Sequence, residues 1–420
     1  MSARDGQCLH LLAPGGAADP GSVDEYLARG GYAMLTRVAT DGVSRGDIAT
    51  VAASGLLAEG AAAGTGRSGG PQAEGFVVCQ VGDREHVRAV EGAILGGNPH
   101  AVLEGLAIVA RAVGAPTCRA CLSPAAWRFA DGLSGAAAQA RQRGLFDRRS
   151  EGGGTGCDVS VIVSADDAWL PVAMTARDGR PARSAAAPVV RQAASAGPRV
   201  VAFGHVEEFA AVPWLIAAGD AGPGTSSTGA AVRVVSLAGA VARAGVVEVP
   251  AATTLRDLVF TAGGGPVAGH RLKAVNVDGA QGCCLAADEL DRPLADCAAV
   301  ADRPITAHSV LALDDTACMV GLARDLARGA LDRSCGACTP CRLGAKRLHE
   351  TLDRVCALGG RKGDVDLVVE LAEGIASGGA CDGGRSACRA LLAAVARFRD
   401  EFDAHIADGR CPAGRCGAQP

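Results

Sequence analysis

A chain of 420 residues, 49% of them hydrophobic, has room for roughly two to four domains with cores of their own. Its net charge of −4 at pH 7 gives no basic footprint for nucleic acid. No apolar run reaches the length of about 18 residues that a membrane span needs, and the start MSARDGQCLHLLAPGG lacks the basic head and apolar core of a secretory signal, so a cytoplasmic address is expected.

Residues 1–22 are rich in Gly, Ala and Pro and read as loose, and 23–55 read as helical. LLAEGAAAGTGRSGGPQAEG (56–75) is a Gly-rich loop, and FVVCQV (76–81) is a strand. PHAVLEGLAIVARAVGA (99–115) has proline at its start and Gly114 near its end, the signature of a helix. A second helical stretch covers 123–145, and CDVSVIVSADD (157–167) is a strand running into an acidic turn. Strands alternating with helices predict an α/β layer. GDAGPGTSSTG (219–229) is a linker. Beyond it VRVVSLAGAV, GVVEVP and KAVNVDG are short strands around one helix, TLRDLVFTAGG (254–264), and together they make a small α+β module. Residues 316–404 are helical. Leu348, Leu352 and Val355 share a face, as do Val368, Leu371 and Ile375, and then Leu391, Val395, Phe398 and Phe402, which predicts a small bundle.

Seventeen cysteines are many for a cytoplasmic chain, where disulfides are disfavoured and clustered thiols point to metal or redox work. SCGACTPCR sets Cys335, Cys338 and Cys341 in one tight C-x2-C-x2-C turn, whose thiolates can each reach a different iron of one cubane. A fourth ligand must come from elsewhere, and GGACDGG offers Cys381 between two helices. Flanking glycines let backbone amides point at cluster sulfurs, and Arg342 stands beside them. Structural zinc held by the same four thiols is the alternative, although zinc ribbons favour two separated C-x2-C pairs. A [4Fe–4S] cluster is the expected cofactor. The scattered Cys8, Cys79, Cys157, Cys297 and Cys318 read as small hydrophobes, Cys283 and Cys284 as packing, and the lone C-x2-C of Cys118 and Cys121 as a weak metal signal. Asp314 and Asp315 read as caps of the following helix.

On DRSCGACTPCRLGAKRL (332–348), LDDTACMV (313–320), FRDEFDAHI (398–406), NPHAVLEGLAIVARAVGA (98–115), VEEFAAVPWLIAAG (206–219) and GAVARAGVVEVPAATTLRDLV (239–259), the chain resembles the NADH-binding flavoprotein subunit of respiratory complex I. It resembles still more the equivalent subunits of NAD(P)-linked hydrogenases and formate dehydrogenases. The likeness runs from about Gly30 to Cys416. It implies a Rossmann-like flavin/NADH domain (56–228) after an N-terminal segment (1–55), a ubiquitin-like β-grasp domain of the soluble-ligand-binding type (229–309), a helical iron–sulfur domain (310–405) and a cysteine-containing tail (406–420). It also implies partners that are other subunits of a redox complex, ferredoxin-like or of the dehydrogenase or hydrogenase kind.

The family's flavin site is where the chain departs. The loop GRGGAGFPTGxKW reads LAEGAAAGTGRSGG here, keeping Gly60, Gly64 and Gly66 with Arg67 as its one cation. NADExEPGTFKDR becomes QVGDREHVRAVEG (80–92), with Gln80 for asparagine, Gly82 for aspartate, Asp83 for glutamate, Ala89 for phenylalanine and Val90 for lysine. CGEETAL and NNVET become SADDAWL, with Asp166 and Asp167, and GHVEE, with Gly204, His205 and Glu208. Hydrogen bonds to a charged phosphate are worth roughly 1.5–3 kcal/mol each, so losing four removes on the order of 6–12 kcal/mol, against about 8 kcal/mol for micromolar binding. Both FMN and NAD(H), and with them NADH oxidation, are therefore expected to be lost. The tail HIADGRCPAGRC adds His405, Cys411 and Cys416, a zinc site if Cys356 supplies the fourth ligand and otherwise a frayed end with idle thiols.

The expected function is an iron–sulfur electron-transfer subunit. The alternatives are a working FMN-dependent NAD(P)H:acceptor subunit and a non-catalytic interaction module.

Overall fold

The computed structural model describes residues 11–12, 19–44, 46–47, 75–82, 88–146, 157–163, 199–218, 232–250, 252–297, 307–332, 334, 336, 338–379 and 382–417. The chain divides into two units, the first drawing its described residues from 1–234 and the second from 235–420.

In the first unit, β1 (Gly75–Val81), β2 (Thr117–Leu122), β3 (Asp158–Val163) and β4 (Arg199–His205) form a parallel sheet in the order β3-β2-β1-β4. β1 reads as a near-continuous apolar run because a parallel strand is covered on both faces. Before the sheet come α1 (Val23–Ala28) and α2 (Ala33–Thr40). Between its strands lie α3 (Arg88–Gly97), α4 (Pro99–Val113) and α5 (Ala130–Gln142), and α6 (Val206–Ala218) follows β4. α4 is the central helix, buried along nearly its whole length, with proline in its first turn and Gly114 left-handed at its end. Its Glu104 reaches α1 and the start of α2: its carboxyl group accepts the Tyr26 hydroxyl of α1 at 2.6 Å and the Tyr32 and Leu35 amides at 2.9 and 3.1 Å. A buried carboxyl group thus holds the first turn of α2. Because β4 returns to pair with β1, the order reverses between those two strands, where open α/β sheets bind ligands.

The expected helix at 123–145 forms as a 3-10 turn (Pro124–Phe129) running into α5, and β2, whose TCRACL alternates over only its first four residues, precedes it.

The second unit holds a five-stranded sheet of β5 (Val232–Gly239), β6 (Gly245–Pro250), β7 (Leu272–Val277), β8 (Cys283–Ala286) and β9 (Ser309–Asp314), in the order β6-β5-β9-β7-β8. β5 and β9 run parallel, and β7 is antiparallel to both its neighbours. The expected helix over 254–264 is there, with a wide π turn at Asp257–Ala262. The boundary expected at 309/310 cuts through β9, which pairs with β5 and β7, so the helical part begins only at α7 (Met319–Asp332). α8 (Lys346–Cys356), α9 (Asp364–Gly378), α10 (Asp382–Arg397) and α11 (Arg399–Ala407) complete it. Leu348, Leu352, Val355, Val368, Ile375, Leu391, Val395 and Phe402 meet in its core, as their spacing requires. Ala274, Cys284, Met319 and Ala394 seal sheet to bundle, and Arg397 bonds both oxygens of Glu289, one at 2.8 Å.

Candidate functional site

The cysteine turn follows α7. Cys335 and Cys381 lie outside the described residues, and Cys338 and Cys341 lie within them. Cys338 is half-buried and Cys341 fully buried, at the start of a π-helical segment (Pro340–Ala345) that feeds α8. The sulfur of Cys341 lies against the first turn of α10: a Cβ built on Gly384 would come 2.6 Å from it, and one on Gly379 3.7 Å. Gly378, the last residue of α9, is met by Pro340 in the same way. The described glycines on either side of Cys381 therefore abut the described end of the C-x2-C-x2-C turn. A side chain at Gly384 would therefore crowd the sulfur of Cys341. The N-terminal turn of a 16-residue helix stands beside that sulfur. One helical turn further along α10, Cys388 is fully buried and its thiol is pushed up to about 12, first by burial and then by Cys341. Soft sulfur donors in a C-x2-C-x2-C turn, with closely approaching glycines and a helix N-terminus beside Cys341, fit an iron–sulfur cluster.

A second constellation joins three distant parts of the bundle. The ligand atoms of Cys318, His405, Cys411 and Cys416 all lie within 4.8 Å of one another. Cys318 Sγ is 3.4 Å from His405 Nε2 and 3.5 Å from Cys416 Sγ. A tetrahedral ion with bonds of about 2.0–2.3 Å sets its ligands roughly 3.5–3.8 Å apart. His405 is fully buried, and its Nδ1 lies 2.6 Å from the Glu401 carbonyl, to which it donates, leaving Nε2 as the free lone pair facing Cys318. Gly414, at a φ of 65°, turns the tail so that Cys411 and Cys416 face one point. Cys416 is pushed far up, first by burial and then by Cys318 beside it.

Cys356, the ligand expected from the sequence, is not in this set. It sits buried at the end of α8 with its thiol pushed up to about 11 by burial, while Cys318, at the head of α7, fills the fourth position. Cys318 reads as packing in the sequence, and the only local signal against that is its place just before a helix start. The aspartates expected to cap α7 do not cap it. Asp314 accepts from the Thr316 amide and hydroxyl, Asp315 faces His270, and the Gly321 amide points at Cys318 Sγ instead. Cys118 and Cys121, three apart on a strand, face opposite sides of the sheet and make no chelate.

The remnants Gly60, Gly64, Gly66, Arg67, Asp83, Asp166 and Asp167 lie outside the described residues. Glu208, in the first turn of α6, accepts the His205 amide at 2.7 Å. Glu91 accepts the Gly82 amide at 2.6 Å. A Cβ on Gly82 would lie 2.5 Å from that of Ala126, so protein fills the space of the family's aspartate. Cys79 between them is pushed up by burial and then by Glu91, Cys121 and Glu208. Two backbone amides at this end of the sheet, of Gly82 and His205, are thus taken by carboxylates.

A parallel-sheet unit followed by a β-grasp sheet and a cysteine-bearing helical bundle defines an iron–sulfur protein of the NADH-dehydrogenase type. Residues 321–405 match the NADH-ubiquinone oxidoreductase-F iron-sulfur binding region, and 234–281 match the SLBB domain. The HndC component of the NADP-reducing hydrogenase of Solidesulfovibrio fructosivorans is 31% identical over 96% of this chain and 84% of its own length. The F 2 component of the NADH-quinone oxidoreductase of Rhizobium meliloti (strain 1021) is 29% identical over 92% and 95%. The NAD+-reducing [NiFe]-hydrogenase shares the fold: its air-oxidized structure superposes with a TM-score of 0.68 at 22% identity, over 95% of this chain and 72% of that one. Its H2-reduced structure gives 0.66 at 23% identity, with 86% of this chain spanning 62% of that one. The chain belongs to the F-type family of NADH-quinone oxidoreductases and its hydrogenase counterparts, iron–sulfur electron-transfer subunits. Among the described residues no single helix is long and apolar enough to cross a membrane.

Proposed function

We propose that this chain relays electrons through one [4Fe–4S] cluster held by Cys335, Cys338, Cys341 and Cys381, as a cytoplasmic subunit of a larger oxidoreductase, without FMN or NADH of its own. The observation that carries the reading is the contact of Cys341 Sγ with the Gly379 and Gly384 positions that bracket Cys381. When bound, the cluster supplies one-electron transfer. The chain supplies four thiolates and, beside Cys341, the N-terminal turn of α10. The carboxylate of Glu208 at the switch point, where the family has a threonine, supports the loss of the flavin, and hydride chemistry needs a flavin to accept the hydride. Its partners are the subunits that load and drain the cluster, ferredoxin-like or of dehydrogenase or hydrogenase type. Cys318, His405, Cys411 and Cys416 hold one zinc ion, which pins the tail and α11 to the head of α7.

The names of the relatives favour a second reading, an active NAD(P)H-linked flavoprotein. Titration separates the two. The visible absorbance of the anaerobic protein should bleach with dithionite and stay unchanged with NADH. Bleaching by NADH alone, with a flavin band, establishes the second reading and removes the first.

A further inference from the structure

Two thiols that electron transfer does not use meet in the parallel-sheet unit. Cys118 is the second residue of β2, and Cys157 directly precedes β3. The register pairs Cys118 with Val159, so residues 157 and 159, two apart, share the face of Cys118. The two sulfurs are 2.7 Å apart, between a covalent bond of about 2.05 Å and the contact distance of unbonded sulfurs. Both residues are sealed, at 0% and 1% exposure, and Cys118 Sγ also lies 3.4 Å from the Leu106 carbonyl of α4. Cys121, the other half of the sequence's C-x2-C, faces the opposite side of the sheet, which leaves Cys157 as the partner of Cys118.

We propose that Cys118 and Cys157 are a redox pair that closes into an intrachain disulfide under a small peroxide oxidant. In the first step one sulfur, as thiolate, attacks the peroxide O–O bond, takes one oxygen to become a sulfenic acid, and water leaves. In the second, the other sulfur attacks that sulfur: the S–S bond forms, the S–O bond breaks, and a second water leaves. Two thiols lose two electrons, and one hydrogen peroxide gains them as two waters. Burial excludes bulky disulfides as oxidants and slows the first step, because it pushes the Cys118 thiol well above its ordinary range. The pair therefore answers to sustained, small-molecule oxidation. Its product staples β3, at the edge of the described sheet, to β2 across 39 residues of sequence.

The test uses the full chain, purified anaerobically, treated with hydrogen peroxide, quenched in acid, alkylated and digested. The expected product is a peptide pair joined through Cys118 and Cys157, about 2 Da below the sum of the two, undone by dithiothreitol. It should be absent from Cys157→Ser and Cys118→Ser. Thermal melting of the oxidised wild type should rise by several degrees and return on reduction. Quantitative alkylation of both thiols after treatment, sulfinic acid at either without a cross-link, or a link from Cys118 to another cysteine overturns the proposal. Because the wild-type peptide map decides the matter alone, a variant that fails to fold does not blunt the test.

Discussion

At the scale of single residues, the two centres depend on different kinds of side chain. A Cβ at Gly384 would crowd the Cys341 sulfur. Gly384→Ala places a methyl 2.6 Å from that sulfur, so it should lower the iron retained per chain severalfold while leaving the helical circular dichroism signal near that of the wild type. A variant with full iron would show that the sulfur does not face the cluster. His405 presents Nε2 because its Nδ1 is bound to the Glu401 carbonyl. His405→Ala and Cys318→Ser should each release zinc, measured by emission spectrometry, typically through a 10-fold or greater loss of affinity. Cys356→Ser should keep it. Zinc lost from Cys356→Ser and retained by Cys318→Ser would restore the ligand set expected from sequence. The triplet of Cys335, Cys338 and Cys341 was legible because its spacing is local. Cys318 was not, because it meets His405 and Cys416 across 87 and 98 residues, and no local pattern encodes a pairing that only the fold creates.

At the scale of elements, charged side chains fix helix starts and seams. Asp364 opens α9, accepting the Arg361 amide at 2.8 Å and the Arg354 guanidinium of α8 at 2.8 and 3.2 Å. Burial raises its carboxyl, but the bonds from Arg354 and Arg361 outweigh burial and hold it below the usual carboxylate range. A depressed carboxyl stabilises the fold above the unfolded value of about 3.9 and loses that contribution as pH falls through the folded one. Acid unfolding should therefore be steeper in the wild type than in Asp364→Asn, which should already be weaker at neutral pH by on the order of 1–2 kcal/mol. Identical acid profiles would mean the pair contributes nothing. The Arg397–Glu289 pair joins α10 to the β-grasp sheet, with the Glu289 carboxyl held low chiefly by Arg397. Glu289→Ala should cost about 1–2 kcal/mol in urea unfolding, and no change in midpoint would rule that contribution out. The strongly periodic helices of the bundle were readable from sequence, since Leu348, Leu352 and Val355 repeat with the helix. β2, β8 and β9 were not. TCRACL alternates over only its first four residues, CCLA does not alternate, and SVLALD was absorbed into the helical region because its pairing partners lie far along the chain.

At the scale of the whole molecule, the chain keeps the family's fold and its iron–sulfur region while its described flavin-site residues depart at Gln80, Gly82, Gly204, His205 and Glu208. The departures at Gln80, Gly82 and Glu208 were legible as sequence changes. What they do physically was not: Glu208 turns its carboxylate onto the amide of His205, and the 3-10 turn at Ala126 fills the space beside Gly82. If the proposed loss of the flavin holds, NADH-dependent redox activity should be absent from the isolated chain and appear only in the assembled complex. The most direct test is elemental and flavin analysis of the anaerobically purified chain. The account predicts the iron and acid-labile sulfide of one [4Fe–4S] cluster, one zinc, and flavin far below stoichiometric. Stoichiometric FMN, or a folded chain with no iron, would contradict it.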